Sequence, residues 1–229
     1  MVNAQVFTES RFFSQLSLST QQQMARRAHW TEFQPGAVLY RQGDSVTSLY
    51  ALHSGRVKLY RQSKDKRQIL ALPTAGDCFG AETLATGAPC PYSAAALSPA
   101  CLFVLSPETV QDLLDEFPDF QEIYLHMITD RLRQFITLVH DLAFRDVTSR
   151  LAMVLVARAE IEGQPFMEGV NVERLLSQQE YAEMVGTARE VVYRIFRHFE
   201  EDGLIHLTRA NIWIRDLEAL RAVARREAR

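Results

Sequence analysis

Cysteine is scarce: Cys78, Cys90 and Cys101 are the whole supply. An odd number without CxxC spacing excludes a disulfide scaffold and a thiolate cluster, so the three are read as reduced, structural residues. No apolar run approaches the ~20 residues needed to span a bilayer. The opening MVNAQVFTESRFF lacks a basic-then-apolar export signal. A cytoplasmic protein with no membrane partner is expected. Basic charge is not in excess either. A formal net charge of -3 argues against a dedicated non-specific binder of nucleic acid, which is usually basic overall. Any DNA contact must then come from a local patch. Histidine is sparse where β-structure is expected. His53 stands alone between Trp30 and Leu105, so the multi-histidine metal site of a jelly-roll enzyme cannot be assembled there. Neither an enzyme nor a metal site is expected. What is present is apolar: 47% hydrophobic residues in a 229-residue chain can fill one large core or two modest ones.

Ser19 followed by Gln22 has the capping-box spacing and predicts a helix over roughly Thr20 to Ala28. From Trp30 to about Leu105 short β-rich runs (SLYALH, RVKLYRQ, RQILAL, CLFVLS) are separated by Gly36, Gly43, Gly55, Gly76, Gly80 and Gly87, as in a sandwich or jelly roll. Ser106-Pro107 starts a helical stretch that Pro118 interrupts, and a long helix is expected from about Asp119 to Arg145. Along it Leu125, Ile128, Leu132, Phe135, Val139 and Leu142 alternate at three and four residues, the a/d repeat of a two-helix seam. A helix packed on its own barrel would show the same short repeat, and both readings stand. The pattern stops near Asp146 to Thr148, which marks a hinge. The organisation expected is a β-rich domain over 1–117, a long helix and hinge over 118–146, and a separate α-rich domain over 147–229.

In the last third, SQQEYAEMVGTAREVVYRIFRHFEEDG reads as helix, turn, longer helix, stop. Ser177 to Glu180 is one capping box and Thr187 to Glu190 a second. Gly186 stops the first helix and Gly203 the second. On the second helix, Ala188 to Glu201, the residues Val192, Ile195, Phe196 and Phe199 face inward. Arg189, Glu190, Tyr193, Arg194 and Arg197 face out. LIHLTRANIWI follows as a β-hairpin wing. Arginine can pair bidentately with guanine and glutamate can accept from cytosine, so Arg189 and Arg194 are expected at base edges and Arg197 at phosphate. Ser177 and Thr187 complete the expected DNA-contacting set. Glu190 closing a capping box, and Arg197 paired with Glu201, are the structural alternatives.

These residues resemble the Crp/Fnr family of regulators over nearly the whole chain. The helix-turn-helix carries an Arg-Glu-x-x-x-Arg pattern at Arg189, Glu190 and Arg194. LAFRDVTSR resembles the family hinge, and FQPGAVLYRQGD, LYALHSGRVKLY and GDCFGAETL resemble its sensor domain. The resemblance implies an α+β protein: a cyclic-nucleotide-binding-like β jelly roll, a long dimerisation helix and a winged helix-turn-helix. It also implies a homodimer on a pseudo-palindromic double-stranded DNA site, with RNA polymerase as a further partner. An effector pocket would involve Gly80, Glu82, Thr83, Tyr92, Ser93 and Phe135. Where cyclic-nucleotide members place an arginine for the phosphate, this chain has Tyr92 before Ser93. The adenine-facing positions are Phe135 and Ile136, so cyclic AMP is not the expected effector. No N-terminal cysteine cluster offers an iron-sulfur site. A haem-dependent sensor of nitric oxide or carbon monoxide, with His53, His126, His140 or Cys78 as axial ligand, is an alternative. A jelly-roll ligand-binding protein that never meets DNA is another.

Overall fold

The computed structural model describes residues 10–45 and 48–226. The chain divides into two compact units, one ending at Phe135 and the other beginning at Ile136.

Among the described residues the first unit starts with a 3-10 turn (Phe13–Gln15) and the helix α1 (Leu18–Arg27). The cap of α1 is Ser17, which accepts from the Thr20 amide. This corrects the expectation of a capping box at Ser19: Ser17 also holds Asp119 through its own amide, a long-range partner that decides which serine caps. Eight strands follow: β1 (His29–Phe33), β2 (Val38–Tyr40), β3 (Leu49–Ser54), β4 (Val57–Ser63), β5 (Lys66–Ala71), β6 (Cys78–Phe79), β7 (Ser93–Ala96) and β8 (Ala100–Leu105), with the short helix α2 (Ala81–Thr86) between β6 and β7. They form two antiparallel four-stranded sheets, ordered β1-β8-β3-β6 and β2-β7-β4-β5.

Within the first sheet β3, β6 and β8 are largely buried on both faces, which is why they read as apolar runs, whereas the edge strand β1 is mostly exposed. Leu49, Ala51, Phe103 and Leu105 point into a core shared with the helices, alongside Phe13, Met24, Leu113 and Phe120. Their neighbours Tyr50, Leu52 and Leu102 point the other way, as the two-residue period of a strand requires, into a second core between the sheets with Leu59, Phe79 and Tyr92. Helices α3 (Pro107–Glu116) and α4 (Pro118–Phe144) complete the stretch. Ser106 caps α3 and Pro107 occupies its first turn, where the missing proline N–H costs nothing.

The second unit contains α5 (Val147–Glu162), β9 (Gln164–Phe166), β10 (Gly169–Glu173), α6 (Gln178–Val185), α7 (Arg189–Glu201), β11 (Ile205–Leu207), β12 (Asn211–Ile214) and α8 (Leu217–Ala224). The wing is larger than the hairpin read from sequence. β11 and β12 join β10 and β9 in one four-stranded sheet ordered β11-β12-β10-β9. Gly169 permits that pairing, because a Cβ there would lie 2.1 Å from the Ile214 carbonyl oxygen.

Candidate nucleic-acid interface and sensor pocket

The helix-turn-helix is built around one buried stack. Tyr181 of α6 meets Phe196 of α7 edge to face, with ring centroids 5.2 Å apart. Arg158 of α5 donates to the Tyr181 hydroxyl (2.6 Å), the Glu162 carboxylate (2.6 Å) and the Glu173 carbonyl (2.6 Å). Ser177 and Glu180 form a reciprocal capping box at the start of α6. The Ser177 hydroxyl is therefore engaged in holding the helix. Gly186 ends α6 at φ 67°, a left-handed conformation that residues with a Cβ rarely adopt.

Thr187 does not cap α7. The cap position is Ala188, without a side-chain bond, so the second capping box expected from sequence is corrected. The Thr187 amide instead returns to the Ala182 carbonyl, closing the turn, and the threonine is thereby drawn one residue too early to cap. Glu190 is consequently not held by a box.

Along α7, at about 100° per residue, Arg189, Glu190, Tyr193, Arg194 and Arg197 fall within an arc of about 140°, and all five are exposed. Val192, Ile195, Phe196 and Phe199 occupy the opposite arc and are buried. Arg197 lies 3.6 Å from Glu201. The side chains of Arg189, Glu190 and Arg194 have no ion-pair or hydrogen-bond partner among the described residues. An exposed, uncommitted guanidinium pair at the start of a helix suits base edges in a major groove.

The residues expected in an effector pocket are, by contrast, engaged by other groups of the first unit. Gly80 precedes α2 at φ 96°, and a Cβ there would sit 2.4 Å from the Ser48 carbonyl oxygen. Thr83 donates back to the Gly80 carbonyl at 2.8 Å. The Ser93 hydroxyl accepts the Gln42 amide at 2.9 Å. Tyr92 is buried to 1% exposure, and its hydroxyl donates to the Glu82 carboxylate in a short bond. Burial first, then the adjacent Glu82 charge, raises the Tyr92 pKa, so the phenol stays neutral. Tyr40 and Phe135 flank it, with ring centroids 6.1 and 6.4 Å away. The surroundings of Tyr92 are thus largely aromatic.

Sequence reasoning missed one member of this site. Arg131 is buried to 8% exposure, donating to the Cys78 carbonyl (3.2 Å) and to Gln134 Oε1 (2.7 Å). Its position between Ile128 and Phe135, three residues from one and four from the other, is the signal that it shares their inward row.

On α4 the stripe divides. Ile128 packs against the helical core and Phe135 against the sheet core, while Leu125, Leu132, Val139, Leu142 and the neighbouring Ile136 are exposed.

The four side chains named for haem have other surroundings. His53 packs on Trp30 and Phe103. His126 lines a groove of about 310 Å³ with Arg11, Asp130 and Arg133. His140 pairs with Asp141 at 3.3 Å. Cys78 is buried, and burial pushes its thiol pKa well up, which disfavours the thiolate that binds iron. Among the described residues no three or more His, Cys, Asp or Glu side chains group as metal ligands, and no helix is long and apolar enough to cross a membrane.

Comparison with known proteins places both units. Residues 30–117 match the model of the cyclic nucleotide-binding domain, and residues 149–223 that of the Crp-like helix-turn-helix domain. The global nitrogen regulator of Synechococcus elongatus is 31% identical over 186 residues, 80% of this chain and 84% of that protein. The chain belongs to the Crp/Fnr family. This Crp/Fnr protein is also 28% identical over 195 residues to the CRP-like cAMP-activated global transcriptional regulator of Mycobacterium tuberculosis, covering 85% of this chain and 87% of that one. Its fold matches a CooA variant from Carboxydothermus hydrogenoformans with a TM-score of 0.73 and 26% identity, over 87% of this chain and 88% of that one. It is a DNA-binding transcription regulator of the Crp/Fnr type.

Proposed function

We propose that this Crp/Fnr regulator acts in the cytoplasm as a homodimer on a pseudo-palindromic promoter site, with RNA polymerase as its partner there. One α7 enters each of two successive major grooves. Arg189 and Arg194 read guanines, Glu190 accepts from a cytosine amino group, and Tyr193 and Arg197 lie along the backbone. The observation that carries this reading is the exposed arc of α7, on which Arg189, Glu190 and Arg194 have no ion-pair or hydrogen-bond partner among the described residues.

Substitution separates the roles. Arg189→Ala is expected to relax discrimination at one base pair per half-site by about 1–3 kcal/mol. Arg197→Ala should weaken all duplexes alike and lower the salt slope by about one. Competition binding against half-site variants measures both, and a uniform loss from Arg189→Ala would assign that residue to phosphate.

The effector is not cyclic AMP. The phosphate position holds a phenol already bonded to Glu82, and a phenol cannot neutralise a phosphate as a guanidinium does. Signal passes from the pocket to α4 through the Tyr92–Phe135 contact. Cyclic AMP at millimolar concentration is expected to change neither the thermal midpoint nor operator affinity. A ligand that binds the folded state raises the midpoint by mass action, and such a rise would overturn this assignment.

A further inference from the structure

The end of the long helix and the end of the first helix of the helix-turn-helix meet on one side chain. The last carbonyls of any α-helix lack intrahelical donors and form the negative pole of its dipole. Arg150, in the first turn of α5, donates from Nε to the carbonyl of Val185, the last residue of α6, at 2.9 Å. From Nη1 it reaches the Arg145 carbonyl at 2.6 Å, with the Asp141 and Leu142 carbonyls at 3.3 Å each. One guanidinium thus closes two helix C-termini, and its planar fork reaches divergent acceptors that a single ammonium nitrogen cannot serve together. Arg145 and Ser149 extend the junction to α8: Arg145 Nη1 lies 3.0 Å, and the Ser149 hydroxyl 2.9 Å, from the Ala224 carbonyl oxygen.

We propose that Arg150 is a positioning residue for DNA reading, fixing the helix-turn-helix on the end of α4. What holds Val185 also holds α7, because α6 and α7 are joined by the tight turn at Gly186 and by the Tyr181–Phe196 stack. In a dimer built along α4, the two reading helices then stand at one separation. The operator is therefore selected by the spacing of its half-sites as well as by their bases. This inference rests on the dimeric DNA-reading function proposed above.

Two measurements on the full-length protein test it, with Arg150→Gln, which loses the fork and the charge, and Arg150→Lys, which keeps the charge alone. Hydrogen exchange without DNA is expected to show residues 141–150 and 178–187 losing protection together in Arg150→Gln, by about tenfold, with the wing at 205–214 little changed and Arg150→Lys intermediate. Loss confined to 141–150, or spread equally through the second unit, would overturn the proposal and leave Arg150 a purely structural residue. For duplexes whose half-sites are moved apart by one base pair, wild type is expected to bind about tenfold more weakly, and Arg150→Gln to lose less than about threefold. Undiminished spacing discrimination in Arg150→Gln would also overturn it. If wild type bound no palindrome at all, the DNA-reading function itself would fail, and the exchange pattern would still decide whether Arg150 joins the two helix ends.

Discussion

Replacing Leu132 and Val139 together with aspartate is expected to yield a monomer that binds a two-half-site operator about 10²–10⁴-fold more weakly than wild type. The range is the gain from making the second half-site contact intramolecular. Leu125, Leu132 and Val139 recur every seven residues on α4 and are 62%, 57% and 66% exposed. A seven-residue apolar row left open on one protomer is what the facing helix of a left-handed pair covers. Two carboxylates per chain in that seam would bury four unpaired charges, which association cannot offset. Neither residue belongs to the buried core of the first unit, so the protomer itself should stay folded. Light scattering and titration with operator DNA check both parts. A variant that remains dimeric, or a monomer that binds as tightly as wild type, would remove α4 as the seam.

Arg158→Ala is expected to destabilise the second unit by about 3–5 kcal/mol, the usual cost of breaking a buried ion pair by removing one partner. The Arg158 and Glu162 side chains are only 9% and 13% exposed. The loss would reach beyond Glu162. The Tyr181 hydroxyl and the Glu173 carbonyl take their bonds from the same guanidinium, and Tyr181 is the α6 side of the stack that carries α7. For a unit of this size each kcal/mol moves the thermal midpoint by about 4–8 °C. Calorimetry should therefore show the second unit melting far below its wild-type temperature, with DNA binding lost on warming before the first unit unfolds. A change under about 1 kcal/mol would mean that water replaces Arg158 at this site.

The pattern of the chain carried most of this architecture. The inward row of α7 was legible because four apolar residues at helical spacing leave one exposed arc. Gly186 and Gly203 were legible because both hold positive φ, at 67° and 72°. The stripe on α4 was visible, but its division was not. Ile128 and Phe135 follow the same spacing as Leu132 and Val139, and only the packing of the barrel decides which of them turn inward. The strands β9 and β10 were missed because QPF and GVNVE are short and polar on one side, and the pairing of β10 with β12 is set far along the chain. Ser17 took the cap from Ser19 through Asp119, another distant partner. Arg131, Arg150 and Arg158 share one reason for being overlooked. An arginine in an amphipathic helix reads as solvated, and its burial against carbonyls and carboxylates depends on elements that sequence spacing does not reveal.

The central claim, that α7 reads sequence from a dimer, is tested most directly by selecting binding sites for the purified protein from a library of random duplexes at moderate salt. The account predicts enrichment of a pseudo-palindrome with guanine in each half-site, half-sites about one helical turn apart, and loss of selection at one position in Arg189→Ala. Recovery of sequences no different from the starting library, or of single unpaired half-sites alone, would contradict it.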